Sequence, residues 1–351
     1  MKAERLVIPA LSSLAVAVLL LTIAGVNPAS ALWALIDGSF GSWGKAFDTL
    51  LAWAPLALAA AGLAVTFNAG IWNIGVEGQI IAGAIGASWI AQIWSGPGAI
   101  GIPLALLAGF VAGIIWGLLT GILRIRAGVN EIFGGLGFTF VAQALATYLI
   151  LGPWARSGTA STSGTEPFDR SMWMPEIGKA GFPVVSLIIA SAVLVGVWYL
   201  TTRTRFGLHF RAVGSNIASA RLVGLRSRRT LASAFAIGGG IAGLAGALIA
   251  LGLQHKLVAS ISGGRGYLGI LVAILAGFSV KKIAPIALFF AAISVGSFQL
   301  NLRFGLDSSL AGVLQGVAVL TAILMTHRFF YSRNSRITND SEPVPIPQGG
   351  G

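Results

Sequence analysis

The sequence predicts an all-α polytopic membrane protein of about ten transmembrane helices, and three observations carry that prediction. Hydrophobic residues make up 56% of the 351 positions and charged residues only 10%, against roughly 25% charged in a soluble domain. Apolar runs near the ~20 residues that cross a bilayer recur along the chain. The basic residues between them gather in alternate segments, 16 of 23 Lys and Arg in one set and 7 in the other, as in chains whose basic loops stay on the cytoplasmic side.

The apolar runs lie near 6–26, 46–66, 74–94, 98–123, 130–152, 183–201, 231–252, 267–280, 283–301 and 308–326. The first follows Lys2 and Arg5 and precedes Ala29, Ser30 and Ala31, imitating a cleavable signal. It exceeds the roughly 7–15 residues of a signal core and is read as a retained helix. The eighth run is short, so part of its backbone is expected to be irregular. Ten crossings leave both termini inside. Inner segments then hold Lys2 and Arg5; Arg124 and Arg126; the arginines from Arg203 to Arg229; Lys281 and Lys282; and Arg328, Arg333 and Arg336. Outer segments hold Lys45, Arg156, Arg170, Lys179, Lys256, Arg265 and Arg303. Removing one middle helix would invert the later loops and spoil this separation.

Residues 1–326 are expected to form one transmembrane domain, and the polar, Pro- and Gly-rich tail 327–351 to be disordered. Two loops are long. The outer one, 153–182, carries Trp154 and Trp173 and suits an interfacial lid. The inner one, 202–230, is strongly basic and reads as a short helix between two turns. Helices 2–5 and 7–10 form two sets of opposite orientation. Each set opens with an Ala/Gly-rich helix and a glycine-interrupted turn, AGIWNIGVEG at 69–78 and ISGGRGYLGI at 261–270. Inverted repeats with broken helices border the substrate path in many transporters.

FNAGIWNIGVEGQ, 67–79, is the most unusual stretch: Asn68, Asn73, Glu77 and Gln79 stand between two apolar helices, spaced by glycines. An acid at a membrane-helix centre costs about 2.5–3.5 kcal/mol on insertion scales, so it needs a partner or a wet cavity. The four residues are candidates for a substrate pathway or gate. Asn73 as a helix cap and Glu77 at a helix N-terminus are compatible readings. RAGVNEI, 126–132, places Asn130 and Glu131 at another helix start beside Arg124 and Arg126. Capping with a local ion pair is the plainer account there, and closing the inner end of the pathway the sharper one.

Gly109, Gly113, Gly117 and Gly121 share one face of helix 4, which lets another helix approach closely; Gly239 and Gly243 read the same way. RAVGSNIASARLVGL, 211–225, offers Ala212, Gly214, Ala218, Ala220 and Gly224, a small-residue helix able to lie in a groove of another protein. Its arginines, Arg211 among them, suit acidic groups or lipid headgroups.

Several classes are excluded. The net charge of +12 sits beside apolar spans, so the inner membrane surface explains it and nucleic acid is not expected. Zero cysteines rule out disulfides and thiolate metal sites, and His209, His255 and His327 lack metal-ligand spacing. No phosphate-loop motif occurs, since Gly44-Lys45 and Gly178-Lys179 are both followed by Ala. No catalytic constellation is found. No helix centre carries an unpaired Asp or Lys suited to ion coupling, so the driving energy is expected from another subunit. An ion-coupled secondary transporter is the rival reading, because inverted repeats allow it too.

FNAGIWNIGVEGQ, RAGVNEI, RAVGSNIASARLVGL and GGRGYLGI at 263–270 together resemble the membrane permeases of bacterial ABC importers in the branched-chain amino acid, ribose and nucleoside group. The likeness spans residues 1–326 and is nearest the simple sugar and nucleoside branch. It implies a ten-helix importer subunit in the bacterial cytoplasmic membrane that does no bond chemistry. It implies a second permease, cytoplasmic ATPases that bind the ATP, and an extracytoplasmic substrate-binding lipoprotein. No cofactor is implied in this chain. The loop between helices 6 and 7 would be the coupling helix, with Arg211, Gly214, Asn216, Ala218, Ala220 and Gly224 at the ATPase. Ser219 departs from the family's usual Ala, and Ile217 from its frequent Pro.

Overall fold

The computed structural model describes residues 25–156, 163–178 and 181–305, with 15, 18, 19, 21–23, 312, 313 and 315–317. The chain divides into two compact units, Leu35–Gly296 and the pairing of Met1–Ala34 with Ser297–Gly351. In the smaller unit Leu21, Ala31, Ala34 and Leu300 are buried. The larger unit holds every site discussed below.

The described helices are, in order, α1 (Pro28–Phe40), α2 (Trp43–Asn68), α3 (Val76–Ile93), α4 (Gly98–Arg126), α5 (Glu131–Leu151), α6 (Val184–Arg203), α7 (Arg205–Ser215), α8 (Ile217–Leu222), α9 (Ser227–Leu248), α10 (Arg265–Leu275) and α11 (Val280–Phe304). A π-helical turn, Ile249–Gln254, extends α9. Capping side chains set several starts by accepting otherwise orphaned amides. Ser42 Oγ accepts from Lys45 N at 3.3 Å for α2, and Asn130 Oδ1 from Ile132 N at 2.8 Å for α5. Asn216 Oδ1 takes both Ala218 N and Ser219 N for α8, at 2.9 and 3.0 Å.

Six described helices are long and apolar enough to cross a membrane. Their burial separates centre from periphery. In α2 and in α9 with its extension, 78% and 83% of the apolar window is buried, against 28% for α4, α5 and α6. Apolar residues left exposed on a helix of that length suit lipid rather than water. The centre is built by close backbone approach, with α9 packed on α4, α3 and α2. A Cβ placed on Gly113 would lie 2.7 Å from Gly243 Cα, and one placed on Gly243 would lie 2.7 Å from Gly113 Cα. Gly239 meets Gly113 and Gly117 in the same seam, and Gly121 meets the Phe235 ring. The glycine stripe read from the sequence is therefore a packing face.

Eight of the ten expected apolar runs coincide with helices α2–α6 and α9–α11. The eighth run forms only the 11 residues of α10, preceded by turns. More than half of the first and tenth runs, and all of the tail 327–351 and Lys179, lie outside the described residues. α1 was not among the expected spans, and its Asp37 pairs with Lys45 across the turn into α2 at 3.2 Å. The basic loop 202–230 contains two short helices, α7 and α8, where one was expected.

In the long loop between α5 and α6, residues 163–175 run along the end of α9. Thr165 N donates to Leu257 O at 2.9 Å, Phe168 N to His255 O at 2.8 Å and Met174 N to Leu251 O at 3.1 Å. Trp173 stacks on the His255 ring, centroids 3.8 Å apart. Burial pushes the His255 imidazole below its ordinary pKa, opposed by its bond to Leu251 O and by Glu176.

Candidate functional site

α2 ends at Asn68, and the chain turns through Gly70 at φ +73° before α3 begins at Val76. Only a residue without Cβ adopts that conformation at little cost. Within this break the polar side chains find one another. Asn73 Nδ2 donates to Gln79 Oε1 and Gln79 Nε2 to Asn73 Oδ1, both at 3.0 Å. The two amides are 1% and 0% exposed, so the pair is closed to solvent. A reciprocal pair satisfies the inner donor and acceptor of each group, as burial in an apolar bundle demands.

Glu77 reaches in another direction, to the turn before α10. Ser262 Oγ donates to its Oε1 at 2.6 Å and Gly264 N at 3.1 Å, while Gly266 N donates to Oε2 at 2.7 Å. The carboxyl group is 5% exposed. The acid therefore sits in the first turn of α3 and at the same time on the first amides of α10, so two positive helix ends meet at one carboxylate. Gly266 makes the approach possible, since a Cβ there would stand 2.8 Å from both Glu77 Cα and N. Gly264, at φ +75°, supplies the left-handed step into α10. Arg265 is half-buried beside this joint and donates to Ser262 O at 3.1 Å. The two glycine-interrupted turns at 69–78 and 261–270 thus meet at Glu77, a contact between segments about 190 residues apart that spacing alone could not reveal.

Asn68 stands outside this joint. Its Nδ2 donates back to Ala64 O at 2.6 Å, and it lines a separate cavity at the end of α2. Asn130 and Glu131 also lie apart. Asn130 is exposed and caps α5, and Glu131 Oε2 meets Arg124 Nε at 3.0 Å. Their helix does reach the joint through backbone, because a Cβ on Gly75 would lie 2.9 Å from Gly135 Cα and one on Gly78 would lie 2.9 Å from Thr139 Cα.

The candidates in the basic loop 202–230 differ in what they touch. Arg211 is exposed, yet its Nη1 donates to Thr201 O at 2.7 Å. Gly214 abuts the turn after α2, where an added Cβ would stand 2.8 Å from Gly70 N. Ala220 is buried. Asn216, Ala218 and Gly224 are exposed. A large exposed apolar surface at the end of α8 belongs to two residues that the small-residue pattern passes over, Leu222 and the following Val223, which are 89% and 76% exposed. Their signal in the sequence is an apolar pair inside an arginine-rich loop, followed at once by a glycine.

Among the described residues no group of His, Cys, Asp and Glu could hold a metal ion. The arrangement offers helix breaks, a buried polar joint and a long loop packed along the end of α9, which is the equipment of a conduit.

All-helical among its described residues, with six helices long enough to span a bilayer, the chain is a multi-pass membrane protein. Residues 45–323 match the family described as branched-chain amino acid transport system / permease component, and the chain belongs to that family. It is similar to a glucose ABC transporter permease protein of Haloferax volcanii, 32% identical over 92% of this chain and 87% of the relative. It is similar as well to a guanosine ABC transporter permease protein of Bacillus subtilis, 28% identical over 88% and 89% of the two chains. A nucleoside ABC transporter permease protein of Lactococcus lactis is 30% identical over 78% of each. The chain is thus a permease component and not an enzyme; ATP hydrolysis resides in partner subunits, and a substrate-binding partner belongs to such systems.

Proposed function

We propose that this chain is the translocation subunit of an ATP-driven importer for a nucleoside or a simple sugar. The likeness to permeases named for glucose, guanosine and nucleosides supports that substrate range. The permease works beside a second permease subunit and receives solute from an extracytoplasmic lipoprotein in the bacterial cytoplasmic membrane. ATP is bound by the partners, and this chain carries no cofactor. Ten crossings with both termini inside, arranged as two inverted repeats within residues 1–326, agree with the segregation of charge.

The observation that carries the mechanism is the Glu77 joint. One carboxylate holds the starts of α3 and α10 together, and those two broken helices sit at corresponding places in the proposed repeats. With Asn73 and Gln79 buried beside it, the joint acts as a closed gate of the pathway rather than as an open wall. Opening needs two alternative packings of the same helices, biased by partners. Residues 202–230 link that change to the ATPase. The gate set is Asn73, Glu77 and Gln79, with Asn68, Asn130 and Glu131 at the inner ends of α2 and α5.

Uptake of labelled guanosine and of glucose by cells expressing the chain with its neighbouring subunits tests the proposal. One of these solute classes should accumulate, and accumulation should stop when the ATPase is disabled. Uptake that persists without the ATPase and collapses with an ion gradient would instead establish the ion-coupled secondary transporter.

A further inference from the structure

We propose that the cavity between the ends of α2 and α6 and the start of α11 binds the phosphate of an anionic phospholipid headgroup. The cavity holds about 450 Å³, within the range of roughly 300–1,000 Å³ typical of small-molecule sites. Arg203, Arg211 and Lys281 line it, and no carboxylate is among its lining residues. Three cations brought together without an acid repel one another, and an anion between them removes that cost. The start of α11 lies in the same wall, so the positive end of a 25-residue helix adds to the field.

The remaining wall favours a lipid over a free ion. Trp198 and Phe278 give it an aromatic side. Lys281 Nζ lies 5.3 Å from the Trp198 ring centroid and the Arg203 guanidinium carbon 6.0 Å, so both cations lie within cation–π reach of one ring. Arg211 is held by its bond to Thr201 O, which uses one of its five donors. α2 and α6 finish at this level and α11 begins there, which places the cavity where a phospholipid carries its charge. Basic pockets between membrane helices on the cytoplasmic side bind such headgroups by the same chemistry. Phe278 also packs on Phe67 at 4.9 Å, and Phe67 on Trp72 at 5.2 Å, so an occupied site would hold the break after α2 in its present position. The inference rests on the permease reading for the position of these helix ends at the membrane surface.

The test uses the full chain in nanodiscs and reads bound lipid by native mass spectrometry, with thermal unfolding as a second measure. Phosphatidylglycerol should be retained over phosphatidylcholine and should raise the melting midpoint. The double variant Arg203→Gln/Lys281→Gln should lose about thirty-fold in retention, two basic contacts' worth. Arg203→Lys should keep it, which separates charge from folding. Arg126→Gln/Arg228→Gln, removing two exposed arginines outside the cavity, should change little. Equal loss in that control pair, equal retention of phosphatidylcholine, or full stabilisation by inorganic phosphate alone would each overturn the proposal. None of these readouts involves transport or ATP, so failure here leaves the importer reading standing, and loss of ATP-dependent uptake would leave the lipid result standing.

Discussion

At the scale of single residues, Glu77 shows how a membrane protein can keep an acid in its interior. Water is replaced by one hydroxyl and two amides, all within 3.1 Å. Removing the acceptor strands all three donors, and an unsatisfied buried group costs about 1–3 kcal/mol. Glu77→Ala should therefore lower stability by about 3 kcal/mol or more, read as thermal unfolding of the purified chain in detergent. Glu77→Gln keeps one acceptor oxygen of the same reach and should lose less than half as much. If the two variants unfold together, the carboxyl group holds nothing at this joint. The residues themselves were visible as anomalies: four polar side chains spaced by glycines in an apolar run announced a break. Their partners were not. Asn73 and Gln79 are six residues apart and pair locally, whereas Ser262, Gly264 and Gly266 come from the far half of the chain, where the sequence offered only a similar pattern of glycines.

Among the elements, glycine decides how near two helices lie. On α4 and α9 the backbones themselves meet, and neither Gly113 nor Gly243 has a flexible side chain opposite that could yield. Gly243→Ala should destabilise by about 1–3 kcal/mol, the usual range for forced overpacking. Gly196→Ala in α6 is the internal comparison, because nothing lies within 4 Å of the added methyl. There the better helix propensity of Ala should leave stability unchanged or raise it by up to ~1 kcal/mol. Equal effects at the two positions would mean that the seam is not tightly packed. The stripe on α4 was legible because 109, 113, 117 and 121 repeat every four residues. Span positions were legible for a similar reason, since hydropathy tracks burial in lipid. α1 was not, because its 13 residues fall short of a crossing. The second helix of the inner loop was missed because Asn216, which caps α8, also ends α7.

Over the whole molecule, the question is how a partner's motion at one end reaches the buried joint. The end of α8 exposes Leu222 and the residue after it, Val223, and Asn216 alone links α8 to α7 along the chain. α7 buries Phe210 and Val213 and sets Gly214 against the turn that follows α2. That turn leads within seven residues to Glu77. Where Gly214 meets Gly70 the contact is backbone on backbone, so in the proposed coupling a small displacement of α7 would be passed to that turn rather than absorbed by a yielding side chain. Leu222→Ser/Val223→Ser should consequently weaken capture of the ATPase subunit by about tenfold or more, as loss of a central apolar anchor does. Stability of the permease should stay the same, because both side chains are already exposed. Leu208→Ser, which removes another exposed apolar residue from the same loop, sets the baseline. Copurified ATPase and solute uptake are the two readings, and they should fall together. If the double variant binds the ATPase and transports like the Leu208 control, then α8 is not the contact, and the drive must enter elsewhere on the permease.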